Sequence, residues 1–163
     1  MIESFEPIAS RNSKILILGS MPSVMSLSKY QYYGNPQNQF WKIVFDLFEE
    51  ELADDYEIKR NLLIKNNIAL WDVIKSCERD GSSDSKIRKE EINDFETFFK
   101  EHTKIKAVFF NGKKAQEVFE NKVKKTSELP KDLLYNSLPS TSPANVMRYE
   151  VKKKEWEIIL RFL

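Results

Sequence analysis

The chain has 163 residues, 41% hydrophobic and 31% charged, with a net charge of +1; this is the profile of one water-soluble globular domain over residues 1–163, and it carries no global basic field for a polyanion. One cysteine, Cys77, excludes an intramolecular disulfide and a cysteine-built metal site, and a single histidine, His102, argues against zinc. No apolar run approaches the ~18 residues of a membrane span, and the start MIESFEPIASRNSK lacks the basic and apolar parts of a signal peptide, so a cytoplasmic location is expected.

In chain order, Lys14 to Gly19 (KILILG) is a β-branched and leucine run that predicts a strand buried on both faces. Ser20 to Tyr33 reads as loop and short helix. Asn35-Pro36 then predicts a helix to about Phe48, with Asn35 as N-cap and Pro36 at the first helical position. Phe40, Trp41, Val44, Phe45 and Phe48 recur there at helical spacing. A helix is expected over Tyr56–Asn66 and a second strand over Asn67–Ile74. Cys77–Ile87 (CERDGSSDSKI) reads as a long surface loop, and Asn93–His102 as a helix capped by Asn93. Ile105–Phe110 is a third strand, stopped by Asn111-Gly112. A helix follows from Lys113 to about Lys122, then a weaker fourth strand over Leu133–Leu138. Ser142-Pro143 is read as opening the last helix.

Alternating strands and helices predict an α/β fold, a three-layer α/β/α sandwich around a parallel sheet. Ligands in such folds sit outside the carboxyl ends of the strands. That edge gathers Gly19-Ser20-Met21-Pro22-Ser23, Asn111-Gly112 and Ser140-Thr141-Ser142-Pro143-Ala144-Asn145. NPQN and SPAN share a pattern: a cap, a proline and an Asn in the first helical turn, beside unpaired N–H groups that favour an anion. Taken alone, such Asn and Ser residues also serve simply as caps. Asn111 reads equally as a turn residue, and Phe40 and Trp41 equally as core. Only four glycines are present, and neither a P-loop nor a Rossmann fingerprint occurs.

The blocks ILGSMPS, YYGNPQNQFW, ALWDVIKSCERDGSSDS, VFFNG and LPSTSPAN, in order from Ile15 to Asn145, resemble the uracil-DNA glycosylase superfamily. The branch they resemble is that of the hypoxanthine-DNA (deoxyinosine) glycosylases, related to the mismatch-specific uracil/thymine enzymes. The resemblance implies a central four-stranded parallel sheet. It also implies a monofunctional glycosylase that uses water and neither metal nor cofactor, and whose partner is DNA containing deaminated bases; a monomer is expected. By motif match it implies that Asn38 positions the water, that Phe40, with Tyr33, stacks the extruded base, and that Asn111 recognises the base edge. Gly19, Ser20, Met21, Pro22 and Asn35 would complete the base pocket. Ser140, Thr141, Ser142, Pro143 and Asn145 would grip DNA, with Arg148 one turn further on. The branch commonly has His where this chain has Asn35, and the acidic residue of the classical uracil enzymes' first motif is missing from GSMPS. The rival from another class is a non-catalytic module that binds a nucleotide or modified base.

Overall fold

The computed structural model describes residues 1–163. Its centre is a four-stranded, wholly parallel sheet of β2 (Ile15–Gly19), β3 (Ile68–Asp72), β6 (Ala107–Asn111) and β7 (Leu134–Leu138), ordered β3-β2-β6-β7. Every residue of β2 is buried, because helices cover both faces. Ile15 and Ile17 pack toward the layer of α2 (Phe40–Leu47), α3 (Tyr56–Lys65) and α7 (Tyr149–Trp156). Leu16 and Leu18 pack toward the layer of α4 (Phe95–Glu101) and α5 (Lys113–Val118). Alternation thus feeds two cores from one strand, and each fully buried aliphatic side chain contributes about 1.5–3 kcal/mol. The expected three-layer arrangement is present.

Three corrections to the sequence reading follow. First, there is a second sheet, antiparallel, of β1 (Ile2–Glu3), β4 (Ile74–Glu78) and β5 (Arg88–Ile92). The expected strand over Asn67–Ile74 is therefore divided between two sheets, and Cys77 lies buried in a strand rather than in a surface loop. Second, α4 is capped by Asp94, which accepts from Thr97 N–H at 3.1 Å. Asn93 is instead buried, and its side chain donates to the Asp72 carbonyl at 2.7 Å.

Third, NPQN and SPAN open no helix. α2 starts at Phe40 and α7 at Tyr149. Each motif is a tight turn: Asn38 N–H donates to the Asn35 carbonyl at 2.9 Å, and Asn145 N–H to that of Ser142 at 3.0 Å. Inside each turn a side chain replaces a helical partner, with Gln37 N–H donating to Asn35 Oδ1 and Ala144 N–H to Ser142 Oγ. Asn and Ser offer the backbone a local acceptor for either a cap or a turn, and here the turn prevails. The matching pattern is real, but it marks two copies of one turn, so no helix dipole is aimed from these sites.

Further short elements are α1 (Val24–Lys29), capped by Ser23, α6 (Lys124–Thr126), reached from α5 through a wider π turn at Phe119–Val123, and 3-10 turns at Asp84–Lys86 and Glu157–Phe162. No helix is long and apolar enough to cross a membrane.

Candidate active site

The four parallel strands end on one edge with Gly19, Asp72, Asn111 and Leu138, and all four border a cleft of about 1210 Å³. The cleft is also lined by Ser20, Met21, Pro22, Tyr33, Asn35, Asn38, Ser140, Thr141, Ser142, Pro143 and Asn145. Segments distant in the chain are therefore brought together as the sequence predicts. Two expected residues do not line it. Phe40 has no exposed surface, and Arg148 stands exposed at the start of α7, making no salt bridge.

Phe40 lies beneath Tyr33: the two rings stack at 4.3 Å between centroids and 23° between planes. Edge contacts from Trp41 and Trp156 fix Phe40 from other sides. The ring that faces the cleft is accordingly Tyr33. Its backbone is left-handed, at φ 54, which costs a non-glycine residue on the order of 1 kcal/mol and persists only when the surroundings impose it. The Phe40 stack is one such restraint. The other is Asn111, whose amide donates to Tyr33 Oη at 3.0 Å. Burial pushes the Tyr33 phenol well above its ordinary range, and the charge of Asp72 adds to the effect. The hydroxyl therefore keeps its proton at neutral pH.

Asn111 acts as a bracket. Its amide group donates to Thr141 Oγ1 at 2.9 Å as well as to Tyr33, while its Oδ1 accepts from Thr141 N–H at 2.9 Å. Both amide hydrogens expected for a base edge are thus committed within the protein. Contact with a base would require exchange of one of them. Gly112 follows at φ 94, where a side chain is strained, and a Cβ there would come within 3.2 Å of Ser140 Cβ. That glycine lets the Asn111 strand end lie against the Ser140 turn.

Asn38 borders the cleft with its Oδ1 accepting from Phe40 N–H at 2.9 Å. This bond fixes the direction of the carboxamide and leaves the second lone pair of the oxygen and the amide hydrogens available. The two turns are laced together next to it. Gln39 N–H donates to the Thr141 carbonyl at 3.0 Å. The Lys152 ammonium donates to Gln39 Oε1 at 2.9 Å and to the Asn145 carbonyl at 2.8 Å. Lys152 is 1% exposed and has no carboxylate partner, and burial lowers its pKa.

Elsewhere in the cleft lining, the backbone N–H groups of Ser20 and Met21 have no backbone acceptor. The loop after β4 is strapped to this motif: Ser20 Oγ donates to Asp84 Oδ1 at 2.8 Å, Val24 N–H to Ser82 Oγ at 2.9 Å, and the Arg79 guanidinium to the Pro22 carbonyl.

Sequence reasoning missed Asp72. It is 4% exposed at the end of β3, in register with Gly19, and its Oδ2 has no hydrogen-bond partner. Burial raises its pKa to about 7, the charge of Asp84 adding and that of Arg79 opposing. A signal was present: one acid at the end of the apolar run IALW, with no cation beside it. No three His, Cys, Asp or Glu side chains converge as a metal-binding group.

Comparison with known proteins identifies the family. Residues 6–162 match the family model described as the uracil DNA glycosylase superfamily. A protein of Methanosarcina acetivorans named hypoxanthine DNA glycosylase is 42% identical over 160 residues, covering 96% of each chain. One of the same name from Methanosarcina barkeri is 38% identical over 155 residues, covering 94% of each. A solution NMR structure from Methanosarcina acetivorans, described as a candidate uracil DNA glycosylase, has a TM-score of 0.82 and 42% identity, covering 98% of this chain and 96% of that one.

Proposed function

The chain belongs to the uracil DNA glycosylase superfamily, and from that premise we propose that it excises deaminated bases, hypoxanthine first among them, from DNA, as a cytoplasmic monomer using water as the nucleophile. It is a DNA glycosylase rather than the non-catalytic module that sequence reasoning held in reserve. The observation that carries the site assignment is the convergence of Asn38, Tyr33, Asn111 and the Ser140–Asn145 turn on one cleft at the strand ends.

A base within a duplex is sealed by stacking and pairing, so it has to be swung out, at a cost of a few kcal/mol that is smaller at a mismatch. Tyr33, braced from below by Phe40, offers the extruded ring a rigid aromatic face. As the glycosidic bond breaks, positive charge grows on the sugar and negative charge on the base. Asn38 has no useful basicity. It holds a water by its free lone pair or amide hydrogens and turns a fixed dipole toward the sugar. The unpaired N–H groups of Ser20 and Met21 supply dipoles for the departing base. Backbone and hydroxyl groups of Ser140, Thr141 and Ser142, with Arg148, hold the flanking phosphates.

Single-turnover excision from a deoxyinosine duplex tests the assignment. Asn38→Ala should slow it by ~10²-fold or more, as expected when a positioning dipole is lost. A rate near that of the unchanged protein removes Asn38 from the mechanism.

A further inference from the structure

The geometry points to Asp72 as a general acid that hands a proton to the departing purine, a role that rests on the excision reading above. Three observations carry it. The carboxyl borders the cleft at the end of β3, yet Oδ2 is buried without any hydrogen-bond partner. A carboxylate buried in that way is costly, whereas the neutral acid removes the charge and gains a donor that needs an acceptor. No protein group provides one, and Asp72 belongs to the lining of the cleft into which the base would be swung.

The second observation is the space cleared beside it. Gly19 faces Asp72 across the strand pair, and a Cβ at that position would lie 2.6 Å from Asp72 Oδ1 and 2.9 Å from Tyr33 Oη. Any side chain there would displace both groups, so the glycine keeps the acid and the aromatic ring side by side. The third is the charge around the acid. Asp84, from the strap, opposes ionisation, and Arg79 favours it without forming an ion pair. Tyr32, Tyr33 and Tyr56 are the other titratable groups that feel its charge, and all three stay neutral because their own pKa values are raised. Asn93 holds the Asp72 backbone by its carbonyl. The result is an acid whose pKa of about 7 matches neutral-pH proton transfer.

The step balances. The bond between C1′ and the purine nitrogen breaks and its electron pair moves onto the purine. The proton of Asp72 forms a bond to a purine ring nitrogen, and the water oxygen bonds to C1′. The proton lost by that water restores the acid through solvent. One water is consumed, neutral hypoxanthine and an abasic sugar are formed, and nothing is oxidised. A purine retains ring nitrogens with free lone pairs while its glycosidic bond breaks; uracil presents only carbonyl oxygens. A proton donor at this place therefore favours purine substrates.

The test is single-turnover excision from a deoxyinosine duplex between pH 5.5 and 8.5, with saturating enzyme. The unchanged protein should lose rate about tenfold per pH unit above pH ~7, as an obligatory acid ionises. Asp72→Asn keeps size and a donor but has no proton to give. It should be ~10²-fold slower at pH 6 and flat across the range. A flat profile in the unchanged protein overturns the proposal, as does an Asp72→Asn variant that retains both the rate and the decline. Both outcomes require that the unchanged protein cut the substrate; failure to cut at any pH would instead sink the excision reading itself.

Discussion

Asp72→Asn should stabilise the protein, and by an amount that grows with pH. The carboxyl is 4% exposed, so solvent screening of its charge is slight. Its pKa rises from an ordinary 3.8 to about 7 on folding. That interval spans roughly three pH units, each worth about 1.4 kcal/mol, so about 4 kcal/mol is at stake. The direction follows from proton binding. Below pH 3.8 the folded and unfolded chains both carry the proton. Between 3.8 and about 7 the unfolded chain releases it while the folded chain retains it, so stability falls as pH rises. Above about 7 both are ionised and the loss is complete. Asparagine does not titrate. The stability difference between variant and unchanged protein should therefore widen by about 4 kcal/mol from pH 4 to pH 8, a large share of the usual 5–15 kcal/mol for a domain. Urea denaturation of the two proteins side by side measures it, since every other titration cancels in the difference. A gap that stays constant over that range would refute the buried, unpartnered carboxyl on which the reasoning stands.

Other substitutions probe the rest of the site. Gly19→Ala should cost about 1–3 kcal/mol by overpacking against Asp72 and Tyr33, and should depress excision further than that loss explains; calorimetry together with single-turnover rates separates the two effects. Lys152→Met removes a buried cation of similar volume, so unfolding free energy should change by less than about 2 kcal/mol, while excision slows about tenfold because the two turns lose their bridge. Arg148→Ala should lower the slope of log affinity against log salt by about 0.9, read from fluorescence anisotropy with a labelled duplex, and leave the cleavage rate of bound DNA unchanged.

The central strands were legible because burial on both faces forces an uninterrupted apolar run, and KILILG and the AVFF of β6 can be little else. The edge on which the site would assemble followed from strand direction alone. The second sheet was not legible. β1 has two residues, and β5 reads RKEEI, with no alternation to mark a covered face. The helix starts were misplaced because asparagine, serine and proline serve caps and turns by the same hydrogen bonds, and only the packing of α2 and α7 decides between them. The aromatic order was inverted for a related reason. Tyr33 and Phe40 both belonged to the site, but spacing does not tell which ring lies on top. Asp72 was passed over because a single acid closing a strand looks like a turn residue until the chain beyond it enters another sheet. Val73 and Ile74 N–H then donate to the Gly19 and Ser20 carbonyls, and this pins the carboxyl inward.

The lacing of the Asn35–Gln39 and Ser140–Asn145 turns sets how the molecule can admit a nucleotide. Gln39 and Lys152 make these two turns a single fixed jaw that cannot spread without breaking three part-buried hydrogen bonds. The facing jaw is the strap from Arg79 to Lys86, held to Ser20, Pro22 and Val24 largely by exposed hydroxyl and carboxylate contacts that water can replace at little cost. Widening to pass a base therefore falls to that side, and amide exchange at Val24 should outpace exchange at Gln39.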